Sequence, residues 1–211
     1  MSLWGFIIKG GPVMIPIVLS GALILAIIIE RLISLKNAET DNENFIRGIE
    51  ERLQRRKIKE ALELCSANDK PVPRIIKAGL LKSDRSREEI KESIDDAANH
   101  EIPALEKYLA ILATVATIAP LLGLLGTVTG LIRAFMVIEA RAGLVHPGEL
   151  AGGIWEALIT TVAGLIVAIP SYLSYNYFVS RVNNIILQME KSATKLIDIL
   201  FLLKSEKDET T

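Results

Sequence analysis

The sequence predicts an all-α membrane protein with three transmembrane helices, long cytoplasmic extensions and a helical cytoplasmic loop. Three observations carry that prediction. Residues 10–29, 109–132 and 157–180 are free of formal charge over 20, 24 and 24 residues. At a rise of about 1.5 Å per residue, each run is long enough for a hydrocarbon core of about 30 Å. Half of the residues are hydrophobic, yet 23% are charged and the net charge is −1, so the charges are segregated from the apolar runs. Lys and Arg are also unevenly shared: residues 36–101 hold 14 of them, whereas residues 139–152 hold only Arg141. Excess positive charge marks the cytoplasmic side.

Residues 1–35 read as a short periplasmic end followed by the first spanning helix. The apolar run is long for a signal peptide and no A-x-A-like cleavage site follows it, so it reads as a retained helix. Only residues 1–9 precede it, which leaves little for a periplasmic partner to grip.

Residues 36–106 read as the cytoplasmic helical loop. Phe45, Ile49 and Leu53 follow helical spacing, as do Ile58, Leu62 and Cys65, with Glu, Lys and Arg on the other faces. Two short amphipathic helices fit there. Asn68, Asp69, Lys70 and Pro71 break the pattern, and residues 73–81 resume it. Ser86 with Glu89 three residues on predicts a capping box. It heads one long helix through Ile90, Ile94 and Leu105 into the second span, which Pro103 should kink or divide. Cys65 stands alone, which excludes an intramolecular disulfide and offers no metal cluster; it reads as a small buried apolar residue.

Residues 107–138 read as the second spanning helix, and its composition is not that of a plain anchor. Gly123, Gly126 and Gly130 recur at spacings of three and four, so they share one helical face and let a neighbouring backbone approach. Thr114, Thr117, Thr127 and Thr129 add hydroxyls that need partners in lipid. Residues 139–152 read as a short periplasmic connection, in which Val145, His146, Pro147 and Gly148 have turn chemistry.

The third spanning helix is placed at 153–180. Glu156 stands one residue before the third charge-free run, and ionisable groups at such positions are costly and often functional. The alternative is a headgroup-level carboxylate beside Trp155, in interfacial company. Thr160 lies four residues on, on the same face. Ala157, Thr161, Gly164, Ala168 and Ser171 make an adjacent stripe of small residues suited to helix contact. At Thr127 and Thr161 the alternative is a hydroxyl bonded back to its own helix. Pro120 and Pro170 each remove a backbone donor within a span and are expected to kink it. Residues 181–211 continue as a cytoplasmic helical extension with an apolar stripe from Val182 to Leu200, and the polar end from 206 should fray.

No P-loop, dinucleotide fingerprint or Cys/His metal spacing is present, and His100 and His146 fall on opposite sides of the membrane in this topology. The chain is therefore read as a non-enzyme with no cofactor and no nucleic-acid partner.

Two segments carry a family resemblance. PLLGLLGTVTGLIRAF from Pro120 and EALITTVAGLIVAIPSYLSYN from Glu156 resemble the paired signatures of the MotA/TolQ/ExbB proton-channel family, on its ExbB and TolQ branch. The resemblance is specific over residues 105–176, and the layout together with Glu30-Arg31-Leu32 extends it to nearly the whole chain. It implies a homopentamer in the bacterial inner membrane, enclosing the single spans of two ExbD- or TolR-like partners and acting with a TonB- or TolA-like protein. It also implies that Thr127 and Thr161 line the surroundings of an aspartate on the partner, with Glu156 and Thr160 in the same pathway. The translocated ion would be H+, with Na+ as the alternative. An ExbB-type role in outer-membrane transport and a TolQ-type role in envelope maintenance both fit. A MotA-like flagellar stator fits less well, because those chains usually have four spans and a larger charged cytoplasmic domain. A non-conducting scaffold would explain the glycine seam but leave Glu156 and the threonines without work.

Overall fold

The computed structural model describes residues 9–141 and 146–209, with the side chains of Pro147, Glu149 and residues 206–209 also outside the description. The elements are α1 (Met14–Ala38), α2 (Asn42–Gln54), α3 (Ile58–Ala67), α4 (Pro71–Leu81), α5 (Arg87–Leu105), α6 (Leu109–Ala140) and α7 (Pro147–Glu209). The described residues are all-helical apart from turns. Three of the helices are long and apolar enough to cross a membrane. The chain divides into two compact units. One joins the described part of Met1–Arg31 with Tyr108–Phe178, and the other joins Leu32–Lys107 with Val179–Thr211.

The first unit holds the three apolar runs. Its outward side chains are leucines, isoleucines and aromatics, such as Leu19, Phe135 and Ile166, each about two-thirds exposed in the single chain. Several hydroxyls in these helices are satisfied within their own helix: Thr114 donates to the Ala110 carbonyl at 2.8 Å and Ser171 to that of Val167 at 2.7 Å. Such back-bonding keeps a polar group from standing bare in lipid. Both α6 and α7 continue unbroken through Pro120 and Pro170.

Arg31, read from sequence only as a positive charge near a span end, is 2% exposed. It is paired with Glu30 at 2.5 Å, and its guanidinium lies 5.7 Å from the centre of the Tyr108 ring. Tyr108 itself takes a left-handed conformation, φ 65°. That residue corrects the expected position of the break in the long helix. The division falls at residues 106–108, after Pro103, which α5 accommodates inside its last turns. Pro103 has no N–H to give the Asn99 carbonyl, yet α5 runs on to Leu105.

The third spanning helix also starts earlier than 153. Pro147 opens α7, and proline suits a first helical position because the missing N–H had no partner there. The expected turn at 145–148 is therefore helical from 147 on, while Val145 lies outside the described residues. Residues 1–8 and 210–211, which include most of the expected periplasmic end and part of the tail expected to fray, lie outside them too. α7 is helical to Glu209.

The second unit packs α2 to α5 with the later part of α7. Phe45, Ile49 and Leu53 are buried on α2, and Ala61 and Cys65 on α3. Ile58 is 40% exposed, so the buried stripe of α3 begins at Ala61 instead. Val182, Ile185, Met189 and Leu196 of α7 are each 2% exposed or less. At Gly79 an added Cβ would lie 2.8 Å from Ile94 and 2.9 Å from Leu196, so α4, α5 and α7 meet there without slack. The capping box is formed: the Glu89 N–H donates to Ser86 Oγ at 3.2 Å, and the Ser86 N–H to the Glu89 carboxylate at 3.1 Å.

Burial pushes the Cys65 thiol up to about 11. At pH 8 about one part in a thousand is then thiolate, the reactive form. A maleimide should leave the native protein unlabelled over an hour at that pH and label one site per chain in urea, read by intact mass. Rapid native labelling would mean that α3 is not docked on this core.

Candidate functional site

The site is the seam between α6 and the first part of α7, within the first unit. Glycine on α6 meets small or hydroxyl residues on α7, level by level. At Gly130 an added Cβ would lie 2.6 Å from the Gly153 carbonyl oxygen, and at Gly153 it would lie 2.7 Å from that of Gly130. At Gly126 it would overlap the Thr160 side chain. Thr161 Cα would stand 3.0 Å from one at Gly123, and the Ala119 carbonyl oxygen 2.5 Å from one at Gly164. Ala168 is 5% exposed, one helical turn further along. Real Cβ atoms do not approach this closely, so the two backbones touch only because these positions lack side chains.

The hydroxyls differ in what they do. Thr160 is fully buried and donates within its own helix, to the Ala157 carbonyl at 2.9 Å and that of Glu156 at 3.1 Å. Thr127, half-buried, donates to the Leu124 carbonyl of its own helix at 2.6 Å. Thr161 reaches across, donating to the Gly123 carbonyl of α6 at 3.3 Å. Back-bonding is thus the geometry at Thr127 and not at Thr161.

Glu156 stands above this seam, and its side chain is 13% exposed. It is paired with Arg133 of α6, whose Nη1 donates to both carboxylate oxygens at 2.5 and 2.7 Å. Reading the chain for charge-free runs misses this partner, because Arg133 only terminates the second run. A signal was nevertheless present: a lone arginine at the end of a span opposite the positive-rich side needs a counter-charge. Gly11 closes the third side. It adopts φ +66°, and a Cβ there would overlap the Glu156 carboxylate and lie 3.2 Å from Arg133 Nη1. Only glycine combines that conformation with that approach.

The arrangement offers a dry helix seam, one cross-helix hydroxyl and one neutralised carboxylate. Among the described residues no group of three or more His, Cys, Asp or Glu could hold a metal ion. Its visible chemistry is close helix packing, with one ion pair and one cross-helix hydrogen bond.

Residues 67–191, which include the whole seam, match the MotA/TolQ/ExbB proton channel family. The biopolymer transport protein ExbB-like 3 of Synechocystis sp. is 30% identical over 171 residues, 80% of this chain and 81% of that protein. The biopolymer transport protein ExbB of Aquifex aeolicus is 46% identical over 86 residues, 41% of this chain and 57% of that one. The Tol-Pal system protein TolQ of Haemophilus influenzae is 40% identical over 89 residues, 42% and 39% of the two lengths.

Proposed function

The chain belongs to the MotA/TolQ/ExbB proton channel family, within its ExbB and TolQ branch, and from that premise we propose that it is the channel-forming subunit of an inner-membrane motor. It is a multi-pass membrane protein of a family with a transport role. In the proposed assembly five copies surround the single spans of two ExbD- or TolR-like chains, and the motor acts on a TonB- or TolA-like protein. Protons move where an aspartate of the enclosed span meets Thr127 and Thr161, with Thr160 and Glu156 completing the pathway. The N-terminus faces the periplasm and the C-terminus the cytoplasm. Catalysis and a bound cofactor have no part in this reading.

One observation carries it: Thr161 sends its hydroxyl across to the opposing α6 backbone, within a seam that Arg133 and Glu156 close at one end. A scaffold needs the glycines and can use a cross-helix hydroxyl in its packing, but it has no use for a charged pair at the edge of lipid. An aspartate brought against such hydroxyls is pulled both ways, since burial disfavours its charge and hydroxyl donors favour it; reversible protonation needs that balance.

Gentle affinity purification of the tagged chain from its native membrane, with mass spectrometry of the intact complex, tests the assembly. Five copies with two copies of a small single-span protein bearing an intramembrane aspartate are expected. The partner's periplasmic domain then decides between outer-membrane transport and envelope maintenance. A homo-oligomer without such a partner would overturn the motor reading.

A further inference from the structure

We propose that Arg133 denies the Glu156 carboxylate to metal cations, so that sodium is excluded from this end of the ion pathway. The inference rests on the pathway reading above and adds to it a residue that determines ion specificity. A single nitrogen, Nη1, stands 2.5 and 2.7 Å from the two carboxylate oxygens. That is the place between the oxygens that a bidentate cation would take. A sodium ion at Glu156 would have to displace a permanently charged guanidinium and then gather further oxygen ligands.

Those ligands are withheld on the other sides. Thr160 Oγ1, one turn along α7, is shut against Gly126, with no exposed surface through which an ion could reach its lone pairs. The turn at Gly11 lies directly on the pair, so close that a methyl group would not fit. Arg133 is 49% exposed where Glu156 is 13% exposed, and an ion arriving at this end meets the arginine first. A proton needs one oxygen and no coordination shell, so filling this site removes sodium without closing a proton route through hydroxyls and water. Arg133 is thus a positioning residue, acting through the carboxylate it holds.

The test compares the complex as purified, in sodium chloride and in choline chloride of equal ionic strength, by thermal unfolding. The wild type should unfold at the same temperature in both salts. Arg133→Gln should gain a sodium-specific rise of about 3 °C or more at about 100 mM, as expected for a newly opened cation site. Arg133→Lys, which keeps the charge, should show none, and Arg133→Gln combined with Glu156→Gln should lose the gain. A purely structural arginine would lower stability in both salts alike. Folded Arg133→Gln without a sodium effect would overturn the proposal. So would a sodium-specific shift in the wild type that disappears in Glu156→Gln, a comparison that decides the matter even if Arg133→Gln fails to accumulate. Proton flux in proteoliposomes is measured alongside. Its absence would sink the pathway reading and leave the sodium result to stand on its own.

Discussion

Gly130→Val should remove the folded protein from the membrane. The nearest atom to an added Cβ is the Gly153 carbonyl oxygen at 2.6 Å, followed by the Ala157 backbone nitrogen and Cβ at 3.0 Å. None of these belongs to a flexible side chain, so relief requires α6 and α7 to separate along the seam. Ordinary overpacking costs about 1–3 kcal/mol. Forcing two backbones apart also forfeits the contacts at Gly126 and Gly123, and should exceed that range against a total stability of about 5–15 kcal/mol. The expected result is a drop of about tenfold or more in monodisperse protein recovered by size-exclusion chromatography in mild detergent, as the loss takes up most of that total stability. Gly152→Ala is the matched control. Nothing lies within 4 Å of a Cβ at Gly152, so recovery should be unchanged. Equal recovery of both variants would mean that the seam is not as close as described.

Thr161→Val should have the opposite profile, with assembly kept and ion flux lost. Valine matches threonine in shape and removes only the hydroxyl that reaches the Gly123 carbonyl. Hydrogen bonds between membrane helices average about 0.6 kcal/mol, with a maximum near 1.7, so the thermal midpoint should fall by a few degrees at most. Proton flux, measured with a pH-sensitive dye in proteoliposomes containing the whole complex, should fall by about tenfold or more, because removing one preorganised polar group from a dry site costs about 2.7–4 kcal/mol where that group acts on a developing charge. Full flux in Thr161→Val would remove this residue from the pathway. Flux lost together with assembly would show that its work is packing alone.

The spans were legible because lipid leaves few choices. A backbone that must satisfy its own hydrogen bonds over about 30 Å shows as an uninterrupted apolar run, and all three runs are helical, the first only from Met14 on because residues 10–13 form a turn. The capping box at Ser86 was legible for a similar reason, since it depends on neighbours within a few residues, whereas α4 opens at Pro71, inside the expected break and two residues before the expected restart at 73. What was not legible depends on residues far apart in the chain. Arg133 finds Glu156 23 residues away, and nothing local to either announces the other. Arg31, offered by the sequence only as a positive charge in Glu30-Arg31-Leu32, is buried beside Glu30 and Tyr108. Period alone also could not choose between Ile58 and Ala61 as the buried start of α3, because the decision belongs to the neighbouring helices that cover it.

The Arg133–Glu156 pair has a consequence for how the protein is made. The connection between α6 and α7 spans only residues 141–146, so the ribosome delivers the second span almost back to back with the third. A lone arginine or glutamate stalls at the edge of the bilayer, because each must shed water before it can cross. Paired across the hairpin, the two cancel each other's charge, so together they cost less to place at the edge of the bilayer than either would alone. A variant that loses either charge would reach quality control already handicapped, whatever its competence as a channel.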